Sequence, residues 1–114
     1  MSGLDLVRIA QSRRQAEEVS RLHFSVWVGE TDEAPRVQAE RLHAALDDPD
    51  RSVYLACNTG QRTLEIVTGS AARQTLTDEE CEQAVASMRE VLSSGDVSGA
   101  LVQGLQHLGS YAVD

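Results

Sequence analysis

Ser52-Val53-Tyr54-Leu55-Ala56-Cys57, then Asn58-Thr59-Gly60-Gln61, then Arg62-Thr63-Leu64-Glu65-Ile66-Val67-Thr68 is the stretch that decides the fold. The first run is apolar at successive positions, as a strand buried on both faces requires. The Asn-Thr-Gly-Gln tetrad supplies turn residues between two β-prone runs and predicts a hairpin into a strand over 62–68. A sheet covered on both faces needs helices on both sides, and the flanking sequence supplies them.

Upstream, Leu22-His23-Phe24-Ser25-Val26-Trp27-Val28 alternates with period two and predicts a strand with Phe24, Val26 and Val28 on one face and Trp27 on the other. Before it, Leu6, Ile9, Ala16 and Val19 recur at helical spacing and predict an amphipathic helix over about 3–20 with those residues inward. Pro35 suits the first turn of a second helix over about 35–46, with Ala39, Leu42, Ala45 and Leu46 inward. Asp47-Asp48-Pro49-Asp50 reads as a turn leading into the hairpin. Downstream, Gly69–Leu76 is expected to be irregular or a short edge strand. Thr77-Asp78-Glu79-Glu80 is a capping box opening a helix through Cys81, Ala84, Val85, Met88, Val91 and Leu92. Gly95 stops that helix. Asp96 caps a last one, with Val97, Leu101, Leu105, Leu108 and Ala112 inward and Gly99, Gly104 and Gly109 available for close packing. The order α-β-α-β-β-α-α predicts one α/β domain over 1–114. It is a small three-layer sandwich whose short mixed sheet, one parallel pair plus one hairpin, is flanked by about four helices.

Composition narrows the function. The 114 residues carry ten basic and eighteen acidic side chains, a net charge of −8. Such a chain is poorly suited to neutralising nucleic-acid phosphates, and four aromatic residues offer no stacking platform for single strands. All ten basic residues are Arg. The missing Lys excludes Walker-type phosphate loops and Schiff-base chemistry within these residues. At this length about two-thirds of the unfolded surface can be buried, so one core holds without staples. No apolar run is long enough to span a membrane. Met1-Ser2-Gly3-Leu4-Asp5 lacks the pattern of a signal peptide. Cys57 and Cys81 are expected as buried free thiols, which suits a reducing compartment, and the expected location is cytoplasmic.

Candidate chemistry concentrates in three places. Several carboxylates in Asp47–Asp50 could bind a hard cation through oxygen ligands. Because the third strand runs antiparallel to the second, Thr68 and Gly69 lie beside Asp50 and Arg51, and Asp78 follows shortly after. Glu30, Asp32 and Glu33 follow the C-terminal end of the first strand, with Asn58, Thr59 and Arg62 at the same edge, where open α/β sheets often bind ligands. His23, His43 and His107 fall on separate elements; His43 and Asp47, four apart, make a helix-face pair. No metal site built from His or Cys is expected, and Thr68-Gly69-Ser70 lacks the pattern of a nucleophile elbow.

Phe24-Ser25-Val26-Trp27-Val28-Gly29, Ala39-Glu40-Arg41-Leu42-His43-Ala44-Ala45-Leu46, Leu64-Glu65-Ile66-Val67-Thr68-Gly69 and Ser94-Gly95-Asp96 together give residues 21–110 a likeness. They resemble the TPM domain family of thylakoid-lumen acid phosphatases and photosystem II repair proteins, and within it an uncharacterised actinobacterial branch. The resemblance implies an α/β sandwich and an acidic, cation-binding sheet edge. Asp50, Gly69 and Asp78 match that edge, whereas Ser52, Ala71 and Arg73 stand where the family has Gly, Gly and an acid. The resulting expectation is a non-catalytic binding or accessory domain of TPM type, serving a protein partner at a membrane or cell-envelope complex. The alternative is a divalent-cation-dependent phosphatase. In it Asp48, Asp50 and Asp78 hold Ca2+ or Mg2+, while Arg51, Gly69 and Arg73 contact phosphate or another ligand.

Overall fold

A computed structural model describes residues 4–113. Helix α1 spans Leu6–Ser20, strand β1 His23–Gly29, helix α2 Pro35–Ala44, strand β2 Ser52–Asn58, strand β3 Thr63–Thr68, helix α3 Asp78–Leu92 and helix α4 Val97–Tyr111. The expected helix start at residue 3 and the reading of Met1–Gly3 lie outside the described residues. Among those residues no helix is long and apolar enough to cross a membrane.

The three strands lie in the order β1-β2-β3. β1 runs parallel to β2, pairing Phe24 with Val53, and β3 runs antiparallel to β2, pairing Thr68 with Val53. The architecture is the small α/β sandwich that periodicity predicts, a mixed sheet flanked by four helices. β2 is buried at every position, as its unbroken apolar run requires. The Asn58 carboxamide closes the hairpin by accepting from the Gln61 backbone at 3.0 Å, and Arg62 adopts a left-handed φ of 56°, so β3 begins one residue later than expected.

Two cores sit on the two faces. Phe24, Val53, Leu55, Leu64 and Ile66 face α1, α3 and α4, where Met88, Leu101, Leu105 and Leu108 are fully buried. Tyr54, Ala56 and Val67 face α2, where Ala39 is buried and Trp27, Leu42 and Leu46 pack around them. The alternation in β1 therefore reads correctly, with Phe24 and Trp27 on opposite faces.

Two local expectations need correction and a third is narrowed. Of the predicted face of α1, Ile9 and Ala16 are buried but Leu6 and Val19 are 68% and 45% exposed, and Ser12 and Ser20 are buried beside them. The approach to α4 is close there: a Cβ on Gly109 would stand 3.0 Å from Ala16 and 3.5 Å from the Val19 side chain. Small residues therefore share this face with Ile9, while Leu6 stays outside it. Helix α2 stops at Ala44, leaving Ala45 exposed and burying Gln38, Ala39 and His43. The polar His43 is tolerated because its Nε2 lies 3.0 Å from the Ser52 carbonyl, to which it donates. Finally, Gly69–Leu76 takes the irregular one of its two expected forms, with a 3-10 turn over Ala72–Gln74 and no edge strand.

The caps of α3 and α4 follow the sequence, whereas Asp5, which caps α1, stands inside the helix expected from about residue 3. Thr77 Oγ1 accepts from the Glu80 backbone at 3.1 Å, and the Glu80 carboxylate accepts from the Thr77 backbone at 3.0 Å. Asp5 and Asp96 accept from the Arg8 and Gly99 amides at 3.0 and 2.8 Å.

Candidate functional site

β3 is an edge strand. In an antiparallel ladder, alternate residues direct both backbone groups to the partner strand. Gly69 donates its N–H to the Ser52 carbonyl at 3.0 Å, so Thr63, Glu65 and Val67 also face β2. Leu64, Ile66 and Thr68 therefore aim their N–H and C=O groups outward. They open into a groove of about 800 Å³ walled by α2 on one side and α3 on the other. Arg36 Nη1 donates to the Ile66 carbonyl at 2.8 Å. Among the described residues no side-chain hydrogen bond reaches the outward groups of Leu64 or Thr68.

The groove carries Arg36, Arg73 and Arg89 against Glu40, Asp50, Glu65, Asp78 and Glu82. Arg36 stands 3.2 Å from Glu40 and 3.7 Å from Glu65. Asp78, Glu82, Arg73 and Arg89 take no part in an ion pair among the described residues. Cys81 lines the same wall. Burial pushes its thiol up to about 11, with the Asp78 and Glu80 carboxylates adding to the shift and Arg36 opposing it. Such a thiol stays protonated at neutral pH and is a poor nucleophile. Burial raises the Cys57 thiol as well. Both cysteines are free and buried, as the sequence predicts.

The antiparallel topology brings part of the predicted set together. Asp50, Gly69, Arg73 and Asp78 all line this groove. The Ala71 amide donates to the Asp50 carbonyl at 3.0 Å, and Ser70 Oγ donates to the Asp50 carboxylate at 3.2 Å. Gly69 is required by crowding: a Cβ there would collide with the Pro49 and Asp50 carbonyls. Asp48 and Arg51 sit elsewhere. The 3-10 turn Pro49–Arg51 turns successive side chains to different sides. The Asp48 carboxylate lies 3.7 Å from His23, and Arg51 donates to the Arg21 carbonyl at 2.8 Å. His43 bonds to Ser52 rather than pairing with Asp47. Among the described residues no group of three His, Cys, Asp or Glu is arranged to hold a metal ion.

The acidic loop after β1 is tied down by its neighbours. Glu33 pairs with Arg41 at 2.7 Å, and the Thr31 carbonyl accepts from Asn58 and Gln61 at 3.2 and 3.1 Å. Sequence reasoning missed Arg36, Glu65 and Arg89. The available signal was topological: once β3 is an edge, its alternate backbone groups and the helices beside them define a groove.

Solved structures share the fold, among them these two. The BA42 protein from the psychrophilic bacterium Bizionia argentinensis superposes with a TM-score of 0.83 at 16% identity, covering 97% of this chain and 82% of that one. The N-terminal domain of cg2496 from Corynebacterium glutamicum gives 0.81 at 18% identity, covering 98% and 74%. No curated protein matches the sequence. These findings overturn the resemblance to TPM domains. The actinobacterial attribution, the TPM-type accessory role and the phosphatase alternative fall with it, because neither the family match nor the groove supports them. The matching family is the Domain of unknown function (DUF5130), aligned over residues 1–109, and the chain belongs to that family.

Proposed function

We propose that this domain is a non-catalytic binding module that takes an extended, basic segment of a partner protein as a fourth strand beside β3. The observation carrying this reading is the outward backbone of Leu64, Ile66 and Thr68 opening into a walled groove. An added strand satisfies those groups, and alternate side chains enter the groove on either side of the sheet. Five carboxylates against three guanidiniums favour Lys or Arg on the incoming segment. Two unpaired buried thiols suit a reducing compartment, and the cytoplasm is the proposed location.

The test is amide hydrogen exchange followed by NMR, with a capped Val-Lys-Val-Lys-Val-Lys peptide as probe. The expected result is at least tenfold added protection at Leu64, Ile66 and Thr68. Thr68→Pro removes one outward donor without touching the β2 ladder and is expected to weaken binding several-fold. Arg36→Ala frees the Ile66 carbonyl and is expected to tighten it. Unchanged exchange at all three amides with millimolar peptide would overturn the reading.

A further inference from the structure

The two ends of the β3 groove differ. Resting on the reading of β3 as a docking edge, that difference selects which part of a partner chain is held. α2 and α3 run in opposite directions along the groove. Arg36, in the first turn of α2, donates to the Ile66 carbonyl, and His43, in its last turn, donates to the Ser52 carbonyl that also accepts from Gly69. α3 starts beyond the turn at Gly69, where the Arg73 amide donates to the Gly69 carbonyl at 3.1 Å. It ends at the hairpin, where Leu92 and Ser93 line a small hollow with Thr59 and Arg62. The dipoles of two oppositely directed helices offset each other, so side chains set the polarity of the groove.

Those side chains are sorted along it. Asp50 and Asp78, with Arg73, stand at the Gly69 end. Glu40 and Glu65 flank Arg36 midway, and Glu82 lies one turn beyond Asp78 on α3. At the hairpin end stands Arg89, in the last turn of α3, which joins no ion pair among the described residues. The nearest acid of that helix lining the groove is Glu82, about 10 Å back along the axis. Leu64 offers the first outward N–H of β3 at this end, and among the described residues no side-chain hydrogen bond reaches it. Arg62, at its left-handed φ of 56°, turns the chain into the hairpin just beyond, so the ladder open to a fourth strand ends here.

We propose that the groove receives the free C-terminal end of a partner protein, antiparallel to β3, with its last residue opposite Leu64. One carboxylate oxygen accepts from the Leu64 N–H, and the other faces the Arg89 guanidinium. The third and fifth residues from the end stand opposite Ile66 and Thr68. Directly opposed residues share a face of the sheet, so a Lys or Arg at the fifth place lies on the α3 side, where Asp78 is.

The peptide acetyl-Thr-Lys-Thr-Val-Thr-Val, as the free acid and as the C-terminal amide, tests this in titrations followed through the NMR signals of the Leu64, Ile66 and Thr68 amides. The acid is expected to bind at least fivefold tighter than the amide at low salt. Arg89→Gln is expected to reduce that ratio below twofold. Arg73→Gln, which removes the same charge from the opposite end, leaves the ratio as it is. Arg89 is exposed on its helix and Gln is a good helix former, so the variant keeps the fold. Equal binding of acid and amide, with the three amides responding to both, overturns the C-terminal assignment and leaves the docking edge standing. A ratio that survives Arg89→Gln, or falls equally in Arg73→Gln, overturns it as well. No response of the three amides to either form or to the Val-Lys peptide overturns the docking edge and this proposal together.

Discussion

The two edges of this sheet present the same backbone chemistry in opposite surroundings. At β3 the outward groups sit in a charged groove, and the Arg36 guanidinium already covers the Ile66 carbonyl. At β1, among the described residues, a side chain caps Phe24 alone, by a carboxylate, and the hollow beside it is lined mainly by apolar residues and Arg13. Exposed strand edges invite unwanted pairing, and charged side chains placed along them are one way to limit it. The contrast shows that an edge is defined less by its strand than by the helix beside it. β3 is bracketed by α2 and α3, one on each face. β1 has α1 along one face, with Leu6 left exposed.

The comparison breaks most severely at Gly69. Its backbone packs against the Pro49 and Asp50 carbonyls, so Gly69→Val must displace main chain, not a side-chain tip. The expected cost is about 3 kcal/mol in urea unfolding, read as a lower midpoint at constant slope. The folded fraction is expected to lose binding at β3. An unchanged midpoint would show that this corner yields without cost.

Alkaline pH gives a smaller difference. The Cys81 thiol, in the β3 groove, titrates at about 11 in the folded chain against an ordinary value of 9.0. Between these values the unfolded chain releases a proton that the folded chain retains, so stability falls as pH rises from about 9 toward 11. Below pH 9 the group has no such effect. Cys57, also raised by burial, acts in the same direction. Unfolding measured across this range is expected to slope downward, and Cys81→Ala to flatten part of the slope. An identical slope in the variant would exclude Cys81 as its source.

The smallest expected effect is that of divalent cations. Asp50 and Asp78 share the β3 groove, but Asp48 faces His23. Millimolar Ca2+ or Mg2+ is therefore expected to move the melting temperature by less than about 2 °C relative to EDTA, whereas a site held at a hundred times its Kd would add roughly 2.7 kcal/mol. A larger, saturable shift removed by Asp50→Asn would make the β3 groove a cation site and sharpen its difference from β1.

Much of the fold was legible from residues alone. Alternation in β1, the continuous apolar run of β2 and the turn after Asn58 each follow from period and turn chemistry, and the Thr77–Glu80 capping box from a four-residue spacing. Part of the predicted acidic edge was legible too, because antiparallel pairing alone places Gly69 beside Asp50. Asp48 and Arg51 were not, since a 3-10 turn changes direction at every residue and has no sequence period to read. The buried face of α1 was read only in part: Ile9 and Ala16 are buried, but Ala16 and Gly109 are 93 residues apart, and no local period announces that their close approach defines the contact.

The sequence by itself therefore determined the elements, their caps, the strand pairing and the presence of a face on each side of the sheet. These depend on interactions within a few residues or on the pleat of a strand. Only the tertiary structure decided which apolar side chains stay outside and which polar ones go in. It also brought Arg36 onto a carbonyl thirty residues away and gave the two edges their different flanks. Those outcomes depend on how closely packed helices approach, a distance set by the volumes of residues far apart in the chain.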